Sequence, residues 1–166
     1  FNNIIEAYEE SGYRNDRSEE ECREIRERLE SERIFVRFED LTGNVYEGEW
    51  KKFRTDGKGK MIFKNGDVYE GEWKGDKAEG KGKMVYRIGD VYEGNWKNNQ
   101  REGKGKIIWK SGSVYEGDWT GDKIEGKGKM LFCQGHVYEG DWKDNVIEGK
   151  GKMIYSDGDV YEGEWK

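Results

Sequence analysis

The sequence predicts a mainly β protein: an elongated single-layer antiparallel sheet of tandem hairpins with an α-helical cap at its N-terminal end. Three observations predict it. Tyr46, Tyr69, Tyr92, Tyr115, Tyr138 and Tyr161 recur at an unbroken interval of 23 residues, each opening the phrase YEGEW, YEGNW or YEGDW. Within each interval two runs alternate with a period of two and are separated by turn residues. At 33% apolar and 40% charged residues the chain is too polar for a large globular core, yet at 14% aromatic it is too rich in rings for disorder. A unit this short cannot bury a core alone and is stable only by stacking on its neighbours.

Residues 1–43 read as an acidic leader, with 7 Arg, no Lys and 13 acids, whereas residues 44–166 hold 23 basic and 23 acidic residues. The whole net charge of -6 therefore lies before the repeats. Ile4, Ile5 and Tyr8 can line a short helix ended near Gly12. Ser18-Glu19-Glu20-Glu21 has capping-box spacing and opens a helix to about Arg33. Cys22, Ile25 and Leu29 form its apolar stripe and docking face, while Glu19 with Arg23 and Glu24 with Arg28 pair one turn apart. The helix is expected to fold back over the first strand.

Subtracting 23 from the repeat columns places Ile34, Val36 and Phe38 where Gly57, Gly59 and Met61 stand. Branched and aromatic side chains in place of glycines are how an array is closed at its end. Residues 34–43 are thus a degenerate half-repeat, and the array occupies residues 44–166 as five full repeats and the start of a sixth.

In the first strand of each repeat, as in Val45 to Lys51, Tyr46, Gly48 and Trp50 share one face; Val45, Glu47, Glu49 and Lys51 share the other. The second strand, as in Gly57 to Lys64, puts Gly57, Gly59, Met61 and Phe63 on one face and Lys58, Lys60, Ile62 and Lys64 on the other. Glycine weakens a strand unless something bulky approaches it, so the Tyr and Trp rings are expected to lie over the glycines. The rings in question are Tyr46, Trp50, Tyr69, Trp73, Tyr92, Trp96, Tyr115, Trp119, Tyr138, Trp142, Tyr161 and Trp165. Full burial of one removes roughly 150 to 250 Å² from water, about 4 to 6 kcal/mol before entropy. Most of these rings read as core, and any left partly exposed are candidates for a partner face. On the other face Glu47 and Glu49 stand across from Lys58 and Lys60, pairs that set register and solubility more than stability.

Asn65-Gly66, Ile88-Gly89, Ser111-Gly112, Gln134-Gly135 and Asp157-Gly158 read as tight turns with glycine at positive φ. Segments such as Lys52 to Asp56 and Lys97 to Glu102 read as longer, variable loops and as the places where specificity would reside.

Composition excludes several functions. Cys22 and Cys133 lie in unrelated contexts, so no disulfide framework is expected and a reducing, intracellular compartment is favoured. No run approaches a membrane span, and the N-terminus has no signal-peptide pattern. Asp16 to Glu27 lacks the glycine and alternating ligands of a calcium loop. The lone His136 occupies a turn column otherwise held by Asp67, Asp90, Ser113 and Asp159, so no metal, cofactor or catalytic constellation is expected. Neutral repeats behind an acidic leader, at a sequence pI near 5.1, leave nothing to neutralise nucleic-acid phosphates. Lys51, Lys52 and Arg54 make the best basic cluster for a phospholipid headgroup, but nearly every Lys has an acidic neighbour strand. Other proteins are the expected ligands, with self-association as a variant. The start at Phe1 and the stop after Trp165-Lys166 suggest a piece of a longer polypeptide.

The phrase YEGEWKxxxxxGKGxMxYxxGDxY closely resembles the MORN (membrane occupation and recognition nexus) repeat over about three quarters of the chain. The resemblance implies a ribbon of antiparallel hairpins in one curved sheet. Proteins with similar repeats include junctional membrane tethers, cytoskeletal and ciliary scaffolds, and regulatory arms attached to lipid kinases or a lysine methyltransferase. One column departs from the family: Asp56, Glu79, Glu102, Glu125 and Glu148 precede the first GKGK glycine where a basic residue and His are common. Acids there lower the positive potential of that rim and weaken any transfer of headgroup binding. The expectation is a non-catalytic scaffold or protein-interaction module in a larger cytoskeletal assembly, ciliary or axonemal in its most concrete form. The alternatives are a phosphoinositide-binding tether and the targeting arm of an enzyme.

Overall fold

The computed structural model describes residues 18–166; the expected helix around Ile4, Ile5 and Tyr8 lies outside the described residues. One helix, α1 (Glu19–Ser31), precedes twelve strands that form one antiparallel sheet in strict chain order. These are β1 (Ile34–Glu39), β2 (Val45–Lys51), β3 (Arg54–Ile62), β4 (Val68–Lys74), β5 (Lys77–Val85), β6 (Val91–Lys97), β7 (Gln100–Ile108), β8 (Val114–Thr120), β9 (Lys123–Leu131), β10 (Val137–Lys143), β11 (Val146–Ile154) and β12 (Val160–Trp165).

The capping box of α1 forms as its spacing requires: the Ser18 amide donates to Glu21 Oε2 at 2.8 Å and the Glu21 amide to Ser18 Oγ at 3.3 Å. The helix stops at Ser31, two residues short of the expected Arg33. Arg33 instead spans to the sheet, reaching Glu49 at 2.9 Å and Asp56 at 2.8 Å. Arg23 pairs with Glu20 at 3.5 Å, while the Glu19 and Arg28 side chains of the expected pairs lie outside the described residues. Cys22 and Ile25 are exposed, so their stripe is not buried against the sheet; the Leu29 side chain lies outside the described residues.

The half-repeat β1 pairs Ile34 with Trp50, Val36 with Gly48 and Phe38 with Tyr46. Phe38 lies 5.7 Å from the Tyr46 ring and 5.0 Å from Trp50, so the aromatic packing begins on a side chain where the repeats carry Met or Ile.

The two kinds of connection differ from expectation in opposite ways. The glycine turns form as read, each a short reversal in which Gly66 donates back to Phe63 and carries φ of 92°. The supposedly long loops are two-residue turns, Lys52-Phe53, Gly75-Asp76, Asn98-Asn99, Gly121-Asp122 and Asp144-Asn145, with both residues left-handed. That double positive φ matches the right-handed twist of the flanking strands. The second strand of each repeat consequently starts about three residues before GKGK. It accommodates them in a bulge, because Gly48 opposes Gly59 while Trp50 opposes Thr55. Gly57 lies within this bulge at φ of 105°, and a side chain there would run into the Glu49 carboxylate. Gly57 and its equivalents still pair with the Trp of the next repeat, as Gly57 does with Trp73, while Thr55, Ala78, Arg101, Ile124 and Ile147 stand opposite the Trp of the hairpin's other strand.

Candidate functional site

The aromatic face is consumed by the fold. Tyr46, Tyr69, Tyr92, Tyr115 and Tyr138 are at most 1% exposed, and Trp50, Trp73, Trp96, Trp119 and Trp142 are at most 8% exposed. Tyr69, Tyr92, Tyr115 and Tyr138 each stand edge-on between the Trp of their own repeat and the Trp of the next, with centroids 5.0 to 5.5 Å apart, and Tyr46 meets Trp73 of the next repeat at 5.6 Å. Each tyrosine hydroxyl donates to the carbonyl three residues on, as Tyr46 does to Glu49 at 2.7 Å. From Trp73 onward each indole donates to a glycine carbonyl fourteen residues earlier, as Trp73 does to Gly59 at 3.0 Å. Burial raises the tyrosine pKa values well above the ordinary phenol range. Of the twelve rings named from sequence, Tyr161 is 44% exposed and Trp165 is half-buried, both in the last strand β12.

Arg101 is the exception among the side chains opposite Trp. Its guanidinium lies 4.3 Å from the Trp119 ring and holds Asp122 through Oδ1 at 3.0 Å and the backbone carbonyl at 2.8 Å. A cation thus fills a site that other repeats fill with Thr, Ala or Ile.

Both margins of the ribbon are laced by polar side chains. At one margin the second residue of each two-residue turn from Asp76 onward closes a backbone pair with the preceding repeat. Asn99 donates its amide to the Ala78 carbonyl at 3.1 Å and accepts the Ala78 amide on Oδ1 at 2.8 Å. The acid column explains itself here: Glu79, Glu102 and Glu125 accept the amides of Asn98, Gly121 and Asp144 at 3.0 to 3.1 Å. These three carboxylates cap turns, while Asp56 pairs with Arg33 and Glu148 with Lys143. At the other margin Asn44, Asp67, Asp90, Ser113 and His136 each accept the amide of the residue 20 positions later.

The face opposite the rings carries what a partner could touch. One row alternates acid and base across the strands, Glu47 to Lys60 to Glu70 to Lys83 and so on to Glu162. A second row, containing Lys81, Lys104, Lys127 and Lys150, stands beyond a floor of glycine backbone, and a trough of about 1530 Å³ lies between them. Lys104 reaches Asp118 at 2.7 Å and Lys127 pairs with Asp141, so two of these four cations are matched by an acid. Beside the first row runs an aliphatic stripe that the sequence reading left unremarked. Val45 pairs with Ile62, Ile62 with Val68 and Val68 with Val85, and the register continues to Ile154 and Val160. Ile62, Val85, Ile108, Leu131 and Ile154 remain 39 to 43% exposed.

Lys51 and Arg54 form the closing pair of the first two-residue turn, which contains Lys52, and Arg54 lies 3.9 Å from Asp76. That acid offsets the cluster offered for lipid. No group of three potential metal-binding side chains occurs among the described residues, and no described helix is long and apolar enough to cross a membrane.

MORN repeats match five consecutive segments, residues 46–68, 69–91, 92–114, 115–137 and 138–160. This chain belongs to the MORN-repeat family. MORN repeats suggest a protein-interaction or membrane-binding module. No curated protein matches the sequence. Among solved structures, the TCP domain of SAS-4 (dCPAP) of Drosophila melanogaster, in complex with a proline-rich motif of Ana2, is 13% identical over 80% of this chain and 77% of its own, with a TM-score of 0.49. The TCP10 domain of Danio rerio CPAP, in complex with a STIL peptide, is 14% identical over 79% and 84%, with a TM-score of 0.25. Likenesses at this level bear on neither function nor partner.

Proposed function

We propose that this MORN array is a non-catalytic scaffold and protein-interaction module of a larger cytoskeletal assembly. The observation that carries the reading is the division of labour between the two faces. The Tyr and Trp rings from Tyr46 to Trp142 named above are spent on internal packing, while an uncovered aliphatic stripe runs the length of the opposite face beside rows of alternating charges. Twelve strands at about 4.8 Å spacing make this a linear surface on the order of 50 Å long with a regular interval. Such a surface suits docking and spacing of other proteins. Resemblance to cytoskeletal and ciliary scaffolds supports the setting, with an axonemal site as its most specific version. Ion pairs such as Lys104 with Asp118, Lys127 with Asp141 and Lys129 with Glu139 offset part of the positive charge of this face, which favours protein over phospholipid as the ligand.

The test is detergent extraction of native cells followed by crosslinking mass spectrometry on the insoluble fraction. Retention with crosslinks from lysines of the charged face, such as Lys83 and Lys104, to fixed neighbours is the expected result. Release together with membrane lipid would replace this reading by the tether.

A further inference from the structure

The aliphatic stripe has two borders of different electrostatic character. On one side lies the alternating Glu and Lys row, already neutral within itself. On the other, the loops following β3, β5 and β7 place Lys64, Arg87 and Lys110 in line, and none of these three side chains has a carboxylate ion-pair partner among the described residues. Asp67 and Asp90 share this margin and keep their charge while accepting the amides of Arg87 and Lys110 at 2.8 Å, so with Lys64, Arg87 and Lys110 this border carries one net positive charge. The later loops carry Cys133 and Ser156 at the same place, so the unpaired cations border the first half of the stripe only.

The spacing selects the shape of the occupant. Stripe residues recur every strand, about 4.8 Å, and the bordering cations every hairpin, about 9.6 Å. An α-helix with a heptad seam offers an apolar residue about every 5.25 Å and a given flank position every 10.5 Å. An extended segment offers same-face side chains about every 6.8 Å, and a polyproline turn about every 9.3 Å, so either misses stripe residues a helix would cover. Over the two intervals from Lys64 to Lys110 a helix drifts about 2 Å out of step, within the reach of long basic side chains.

We propose that the stripe from Val45 to Val114, with Lys64, Arg87 and Lys110, docks an amphipathic α-helix of a partner protein. Its apolar seam has heptad spacing and its outer flank carries an acid every seven residues. This rests on reading the charged face as a protein-docking surface. The chain's own α1 does not have this character, because the flanks of its Cys22, Ile25 and Leu29 seam carry Glu19 and Arg26 on one side and Glu21 and Arg28 on the other.

The test uses the whole chain and a synthetic three-heptad peptide with Leu at the seam and Glu along one flank, titrated by fluorescence anisotropy. Saturable binding is expected, weakened about tenfold by Lys64→Glu with Arg87→Glu and Lys110→Glu. A peptide with Lys on the same flank should bind the charge-reversed chain better than the native one, which simple misfolding of the variant cannot produce. Separately, Ile62→Ser with Val85→Ser should weaken the acidic peptide while circular dichroism stays unchanged. The proposal is overturned if the acidic peptide fails to bind, if a peptide with period-two alternation binds equally well, or if the substitutions abolish only self-association or only binding to phosphatidylserine vesicles. Loss of the helix peptide's binding alongside persisting native crosslinks at Lys83 and Lys104 would sink this inference and leave the scaffold reading standing.

Discussion

Tyr115 lies over Gly128 so closely that a methyl group on the glycine would fall inside the van der Waals envelope of the phenol's Oη, Cε2 and Cζ atoms. The absent side chain is therefore the seat of the ring, and the same relation holds between Tyr46 and Gly59 and between Tyr138 and Gly151. Gly128→Ala should cost roughly 1 to 3 kcal/mol as overpacking does, read as a lowered midpoint in thermal unfolding. Gly112→Ala, where open space surrounds a φ of 90°, should cost only backbone strain of about 1 kcal/mol.

Trp119 is 2% exposed, touches Tyr92 and Tyr115, and carries Arg101 over its ring. Trp119→Ala should destabilise the array by roughly 3 to 5 kcal/mol in urea unfolding. A native midpoint for this variant would show that the ring face is not the core.

Asn145 sits at φ of 69°, donates to the Ile124 carbonyl and accepts the Ile124 amide at 2.8 Å. Asn145→Asp should be nearly neutral, because Asp122 and Asp76 do the same work one and three repeats earlier. Asn145→Ala removes the acceptor and keeps the left-handed backbone, so a loss of about 2 kcal/mol is expected in the same assay.

Asp40 accepts the Thr42 hydroxyl at 2.7 Å, the amides of Thr42 and Asn44, and the Asn44 side-chain amide, which together lower its pKa to about 2. A depressed carboxylate contributes stability that is present above its unfolded value near 4 and is lost as pH falls towards 2. Amide exchange in the turn between β1 and β2 should accelerate over that window relative to the other turns. Asp40→Asn should flatten this dependence.

The buried tyrosines behave oppositely. Their folded pKa values lie above the unfolded value near 10, so their contribution is complete below pH 10 and declines as pH rises. Absorbance at 295 nm follows the ionisation. Tyr46, Tyr69, Tyr92, Tyr115 and Tyr138 should ionise in one step coincident with loss of the sheet signal.

Much of this was legible in the sequence. The period fixed strand order, alternation placed Tyr46 and Trp50 together, and subtraction of one period found Ile34, Val36 and Phe38. Counting alternation backward from GKGK hid the bulge, because Asp56-Gly57 adds residues that break the period of two without breaking the strand. The two-residue turns escaped notice because Lys52-Phe53 holds two non-glycine residues at positive φ, a conformation sequence seldom announces. The stripe escaped because Val45 and Ile62 each look like a strand terminus; only the register shows that they are neighbours.

The strict nearest-neighbour order of β1 to β12 also has a mechanical meaning. The ladder hydrogen bonds run along the ribbon's long axis, so tension between its ends loads them one row at a time rather than all together in shear. The array should peel hairpin by hairpin, each step releasing 23 residues and roughly 65 to 75 Å of slack while the remaining units keep their contacts. Such a ribbon is a graded extensible fuse: overload lengthens it by a fixed quantum, and relaxation lets each unit re-zip on its neighbour.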